Sequence, residues 1–311
     1  MPGSDDELRQ ATALIDRAVV GGRSAPRWAY PYFLFAKGLA EYRQGRPASA
    51  ITWMEGEASR VMGPAPRLVL AMAQHRQGQE KQARKTLAKA VVSFDWSAAQ
   101  ADSRDVWICH ILRREAEALI LPSLPAFLRG EHQPRDNDER FAFLGACQSQ
   151  GRYHAAARLY ADAFAADPAL AEDLASECRH RAALGDKQRV DRVEDLATGC
   201  RYPAARSAAL AGCGLGEDGA KLSEAERSRW RKQARGWLRA DLAEWARTLD
   251  SGPRAARIRV TRLLTHWQAD PDLAGLRDLS VLNKWSTDER KDCLALWKEV
   301  DILLKRARGQ K

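Results

Sequence analysis

The sequence predicts an all-α chain built as a helical-repeat solenoid, and three observations carry that prediction. Apolar residues recur at helical spacing in nearly every segment. No stretch shows four or more clean apolar–polar alternations between hairpin signals, so no strand is expected. Three segments, AEYRQGRPASA (40–50), AQHRQGQEKQA (73–83) and ACQSQGRYHAA (146–156), share one pattern: Ala, a polar turn ending in Gln-Gly, then Ala five residues after the glycine. Gly45 and Gly78 stand 33 residues apart, and Gly78 and Gly151 stand 73 apart, close to two further periods.

Composition is compatible with this. Hydrophobic residues make up 45% of the 311-residue chain, enough for a substantial core. The net charge of +9 arises from 50 basic against 41 acidic residues, a mixture that reads as solvated helix faces before it reads as a polyanion-binding surface. Six dispersed cysteines form no CxxC pair, which points to reduced, buried thiols. The start, MPGSDDELRQ, is acidic and unlike a secretory leader, and the most apolar stretch, ALILPSLPAFL (118–128), is short and holds two prolines. The expectation is a cytoplasmic chain without a membrane partner.

Residues 1–25 are expected to form a capping helix. Leu8, Ala11, Ile15, Ala18 and Val19 share one face, and Gly21-Gly22 ends the run. Residues 26–215 are expected to hold the repeats. Each turn glycine takes a left-handed backbone and closes the first helix of a pair. Ala50, Ala83 and Ala156 let the second helix approach closely, with Gly38 and Ala71 opposite. Met54, Leu87 and Tyr160 fill the space between pairs, and Pro168 caps the third exit. The irregular stretch between the second and third units, which contains DVWICHILRREAEALI (105–120), reads as a divergent helix pair.

AGCGLGEDGAK (211–221) contains a formal GxGxxG match at Gly214, Gly216 and Gly219. A dinucleotide loop needs a strand leading in, and the segment before Gly214 is alanine-rich and helical. A kinase glycine loop wants valine where Lys221 stands, and the chain has no Gly-Lys pair for a Walker loop. The glycines are expected to make a bend between helices.

Residues 216–311 are expected to form a Trp-rich helical cap. KLSEAERSRWRKQARGWLRADLAEWARTLDSGP reads as one long helix opened by a Ser223–Glu226 capping box and ended by Gly252-Pro253. Trp230, Trp237 and Trp245 lie within roughly 80° of arc, with Leu238, Leu242 and Leu249 extending the inward stripe. HWQADPDLAGLRD reads as a helix end, a proline turn and a connector. Ser286 caps a last helix with Leu294, Trp297, Val300 and Leu304 inward, and LLKRARGQK reads as a frayed end.

These features resemble tetratricopeptide repeats over residues 34–58, 67–95 and 138–168, with a poorer unit at 187–212 that places Cys200 and Ala205 at the glycine and alanine positions. The third segment supplies the family's Gly151, Ala156, Tyr160, Ala163 and Pro168, whereas the tryptophan near the repeat start is missing and Glu41 and Gln74 replace an aromatic. The run from 33 to 308 also resembles the helical tail of bacterial eukaryotic-type Ser/Thr protein kinases. FAKGLAEYRQGR, PRLVLAMAQHRQGQ, DNDERFAFLGACQSQGRYHAAARLYADAFAADP and HWQADPDLAGLRD carry that likeness. It implies an interaction region in a kinase-associated context, without kinase activity, because the catalytic motifs are absent.

In the repeat family, first helices line a concave surface. The resemblance therefore implies a peptide-binding groove with Tyr42, Arg43, His75, Arg76, Gln148 and Ser149 facing in and Phe35 and Met72 adding apolar contact. Two guanidiniums a repeat apart suit carboxylates or phosphates. Catalytic, cofactor-binding and metal residues are not expected. The six histidines are scattered, Cys109-His110 and Cys178-x-His180 lack a second pair at zinc spacing, and no His-Glu-x-x-His or Gly-x-Ser-x-Gly occurs. RSRWRKQARGW mixes Arg, Lys and Trp as a nucleic-acid surface would, but Glu224, Glu226, Asp241 and Glu244 share its helix. The expected function is a non-catalytic scaffold binding a protein or peptide. The alternatives are a regulatory or substrate-recruiting part of a Ser/Thr kinase system, partnered by a kinase or its substrate, and a basic nucleic-acid-binding protein.

Overall fold

The computed structural model describes residues 5–22, 26–92, 94, 96, 104–166, 201–251 and 254–309. Among these residues the chain forms sixteen α-helices and no strand, so the all-α expectation holds. It divides into two compact units, Met1–Ser149 and Gln150–Lys311.

The first unit contains α1 (Asp5–Gly21), α2 (Tyr30–Arg43), α3 (Pro47–Glu55), a 3₁₀ turn (Glu57–Arg60), α4 (Ala65–Arg76), α5 (Glu80–Val92), α6 (Arg104–Ile120), α7 (Leu124–Leu128) and α8 (Asn137–Ser149). Consecutive helices pack from α1 through α5; α6 packs mainly on α4, and α8 packs on α5. α2 and α4 each carry proline in their first turn and end the same way. Gly45 (φ 73°) donates its N–H to the Tyr42 carbonyl at 3.1 Å, and Arg46 N–H reaches the Glu41 carbonyl at 3.0 Å. Gly78 (φ 75°) does the same to His75 at 3.0 Å, and Gln79 to Gln74 at 3.0 Å. This doubled closure satisfies the last carbonyls of each helix and turns the chain back.

The second helices use the predicted small residues. Ala50 and Ala83 are wholly buried, and Met54 and Leu87 nearly so. Such close approach brings many carbon atoms to van der Waals distance, and each fully buried Met or Leu contributes about 1.5–3 kcal/mol.

The irregular stretch between the second and third repeat segments holds one full helix, α6, and the five-residue α7, which carries Pro125 in its first turn. One expectation needs correction here. On α1, Ala11 is exposed and Thr12 is buried instead, since the Thr12 hydroxyl accepts a hydrogen bond from the Gln44 side chain.

The second unit contains α9 (Tyr153–Ala166), α10 (Arg201–Gly212), α11 (Gly216–Gly219), α12 (Glu224–Ser251), α13 (Arg254–Ala269), a 3₁₀ turn (Pro271–Leu273), α14 (Ala274–Arg277), α15 (Leu279–Leu282) and α16 (Thr287–Arg308). The segment read as a third repeat thus contributes α8 to the first unit and α9 to the second. Pro168, Cys200, most of the 187–212 unit and Gly252-Pro253 lie outside the described residues.

α10 packs against both α9 and α12. Its Ala204, Ala205, Ala208, Ala209 and Ala211 are wholly buried, and their small side chains let both neighbours come close. Of the tryptophan stripe of α12, Trp237 and Trp245 are buried as expected, and Trp230 is half-buried, edge-on to His154 at 5.5 Å. Trp237 meets Phe164 edge-on at 5.5 Å, and Trp245 lies 4.8 Å from Trp267, which stacks on Tyr202 at 5.5 Å. The capping box is present: Ser223 N–H donates to Glu226 Oε2 at 2.9 Å, and Glu226 N–H donates to Ser223 Oγ at 3.3 Å.

On α16 the buried set is Cys293, Leu296, Trp297, Val300, Leu303, Leu304 and Ala307, while Leu294 is 40% exposed. Leu294 sits one residue, about 100°, off that stripe, which corrects its expected inward placement. The helix also runs on to Arg308 and closes on Gly309 (φ 72°), because Leu303, Leu304 and Ala307 hold its last turns in the core. It does not fray at LLKRAR.

Candidate partner-binding face

The matched ends of α2 and α4 bring two arginines to one aromatic ring. Arg76 lays its guanidinium 4.1 Å from the Tyr42 ring centroid and donates from Nη1 to the Tyr42 carbonyl at 3.0 Å. Arg43 approaches the same ring at 5.6 Å. Each such contact contributes about 0.5–2 kcal/mol, more where water is excluded. Burial pushes the Tyr42 phenol above its ordinary pKa, so the ring is neutral and its faces are available to cations.

α6 joins this group from 72 residues away. Arg43 donates from Nη2 to Glu115 Oε2 at 2.6 Å and from Nη1 to Glu115 Oε1, a two-pronged pair. Those bonds raise the Arg43 pKa further. Two residues before Glu115, Arg113 donates to the carbonyl of Ser149, the last residue of α8, at 3.1 Å. Arginine from another helix closing a helix C-terminus therefore occurs twice, at Tyr42 and at Ser149.

The sequence-predicted groove residues do not all reach the surface. Phe35, Tyr42 and Met72 are core residues, exposed by 6% or less. Arg43 and Arg76 are exposed, and His75 and Gln148 are half-buried. The structure brings Tyr42, Arg43 and Arg76 together and adds Glu115 and Arg113, which sequence reasoning missed; no local spacing links them to α2 or α8. α6 also presents Trp107 and Ile111, each 59% exposed, one helical turn apart and succeeded by exposed Arg114 and Ala118.

Competing sites lose their groups to internal bonding. In the glycine bend, Gly214 and Gly216 have φ of 74° and 81°, and the bend leads into α11. Asp218 on α11 accepts from the N–H of His154 at 3.1 Å and of Ala155 at 2.8 Å, the first turn of α9. The anion at this helix N-terminus is thus a carboxylate of the chain itself. Within RSRWRKQARGW, Arg231 and Arg235 are buried. Arg231 Nε donates to Glu289 Oε1 at 2.7 Å, and Arg235 Nε donates to Asp292 Oδ2 at 2.7 Å. Those guanidiniums are not available to phosphates.

The thiols of Cys109, Cys213 and Cys293 are pushed up to about 11 by burial, so they are protonated at neutral pH and poor nucleophiles. Tyr202 OH donates to Asp270, and Asp270 also accepts from Asp272 N–H at 2.9 Å. Both Tyr202 and Asp270 are 3% exposed, which makes the cluster a lock between α10 and the proline turn. Among the described residues, no group of three His, Cys, Asp or Glu side chains is arranged to hold a metal ion, and no helix is long and apolar enough to cross a membrane. No known protein-family model matches the chain, and no curated protein or solved structure is significantly similar to it.

Proposed function

We propose that this chain is a non-catalytic interaction module of tetratricopeptide type, holding a protein or peptide partner on the α2–α4–α6 face of its first unit. The observation that supports the reading is the repeated helix closure at Gly45 and Gly78, which sets Arg43 and Arg76 one period apart on one face. Glu115 on Arg43 is an internal example of the ligand such a face accepts: a carboxylate held by both guanidinium prongs. Arg76 pairs with no carboxylate among the described residues and is the group left for the partner, with Trp107 and Ile111 as apolar anchors.

The test is affinity capture with the full chain from native lysate, comparing wild type with Arg76→Glu, Arg43→Glu/Arg76→Glu and Trp107→Ala/Ile111→Ala, each checked for unchanged helicity. A protein retained by wild type and lost from the Arg76 and Trp107/Ile111 variants supports the face and identifies its ligand. Equal recovery by all four removes the face from consideration.

A further inference from the structure

In the second unit, α13 and the end of α16 border an open surface pocket of about 750 Å³ lined by Arg257, Ile258, Thr261, Arg262, Ala307, Arg308 and Gly309. The volume lies within the usual range for ligand sites, about 300–1,000 Å³. Its lining holds three guanidiniums and no carboxylate. None of the three pairs with an acidic side chain among the described residues. Arg308 donates to the Thr265 hydroxyl at 3.3 Å, which lays its side chain along α13. This contrasts with Arg231, Arg235 and Arg239 in the same unit, each of which meets Glu289, Asp292 or Glu299. Clustered unpaired guanidiniums repel one another, and an anionic ligand relieves that repulsion.

The arrangement selects among anions. On α13, Ile258, Thr261 and Arg262 share a face at i, i+3 and i+4, while Arg257 stands about 100° to one side of Ile258. Ile258 is 52% exposed, a large apolar side chain in a lining that also holds three guanidiniums. The Thr261 hydroxyl already donates to the Arg257 carbonyl at 2.8 Å and keeps its lone pairs for a donor from the ligand. A single phosphate makes no use of Ile258, and a nucleic-acid strand finds no aromatic side chain in the lining on which to stack. We infer that this pocket docks an acidic peptide segment whose carboxylates flank one apolar side chain. The apolar side chain rests on Ile258, and the acids reach Arg257 on one side and Arg262 and Arg308 on the other.

This site is independent of the α2–α4–α6 face, and the experiment keeps the two apart. An array of short peptides, with acidic residues flanking one leucine, is probed with the full chain alongside basic and neutral arrays. The best acidic peptide is then titrated by fluorescence anisotropy against Arg76→Glu, which removes the other candidate carboxylate site, and against Arg257→Glu/Arg262→Glu and Ile258→Ala, each made in that background. The expected result is binding to acidic peptides alone, weakened about tenfold or more by the double charge reversal and several-fold by Ile258→Ala. All the substituted side chains are surface-exposed, and circular dichroism confirms the fold. Binding no stronger to acidic than to basic peptides would overturn the inference. So would indifference to Ile258→Ala, or equal affinity for a single-stranded oligonucleotide that fades steeply between about 50 and about 200 mM salt.

Discussion

Asp218 holds the first turn of α9 by accepting from the backbone N–H of His154 at 3.1 Å, and the same carboxylate takes the Ala155 N–H at 2.8 Å. The bend that carries it is set by Gly216, whose missing Cβ would stand 2.1 Å from the Gly151 carbonyl oxygen. Asp218→Ala is expected to cost about 1–2 kcal/mol, the usual worth of a helix N-terminal acceptor. Asp218→Asn retains an acceptor and costs less. Gly216→Ala is expected to cost more than either, because it adds a left-handed backbone penalty to a steric clash. Urea unfolding of the three variants checks the order.

Gly38 tests the packing of α2 on α3. A Cβ there would come within 2.7 Å of Met54 Cε and 3.0 Å of Trp53 Cβ. Gly38→Ala is expected to destabilise by about 1–3 kcal/mol through overpacking. Shortening the neighbour, as in Gly38→Ala/Met54→Val, recovers part of that loss, so the double variant is more stable than the sum of the singles implies. By contrast, Gly78→Ala has open space around its Cβ and pays only for its φ of 75°, about 1 kcal/mol. Thermal melts of Gly38→Ala, Met54→Val, their double variant and Gly78→Ala measure these differences.

Glu289 binds α16 to α12 by meeting both Arg231 and Arg235, at 2.7 and 3.3 Å. The three side chains are each less than 9% exposed. Glu289→Ala leaves two buried guanidiniums short of their shared carboxylate, and the expected loss is about 3–5 kcal/mol. Arg231 keeps its bonds to the Gly212 carbonyl and to Glu224, which places the loss at the lower end. Chemical denaturation tracked by tryptophan fluorescence measures it; a change below about 1 kcal/mol would refute the coupling of α12 to α16.

Asp241 and Glu41 should pull stability in opposite directions with pH. Burial raises Asp241 to about 7, outweighing its 3.4 Å contact with Arg201, whose shorter bond at 2.8 Å goes to Glu244. The folded state therefore holds a proton on Asp241 that the unfolded chain releases near its ordinary pKa of about 3.9. The cost of this group is complete above pH about 7 and disappears as pH falls towards about 4. Glu41 is held at about 2, chiefly by hydrogen bonds from Arg46. Its contribution is complete above the ordinary carboxylate range and is lost as pH falls through about 2. Asp241→Asn should flatten the Tm profile between pH about 4 and about 7, and Glu41→Gln the profile below it. Thermal melts across that range decide both.

Much of the local structure was legible in the sequence because it depends on neighbours a few residues apart. Helical period, the left-handed glycines that close α2 and α4, the Ser223 and Ser286 caps and the inward tryptophans of α12 all stem from backbone sterics and 3.6-residue spacing. So did the nature of the 214–219 glycines, since a helix rather than a strand leads into them. Tertiary structure decided the rest, where the energy lies in pairs distant along the chain. Arg43 meets Glu115 across 72 residues, and Asp218 meets the amide of His154 across 64. Tyr42 and Met72 lie in the core, with the Arg76 guanidinium, 34 residues away, laid over the Tyr42 ring. A basic residue's role hung on whether folding brought it a carboxylate. It did for Arg231 and Arg235, and it did not for Arg257, Arg262 and Arg308.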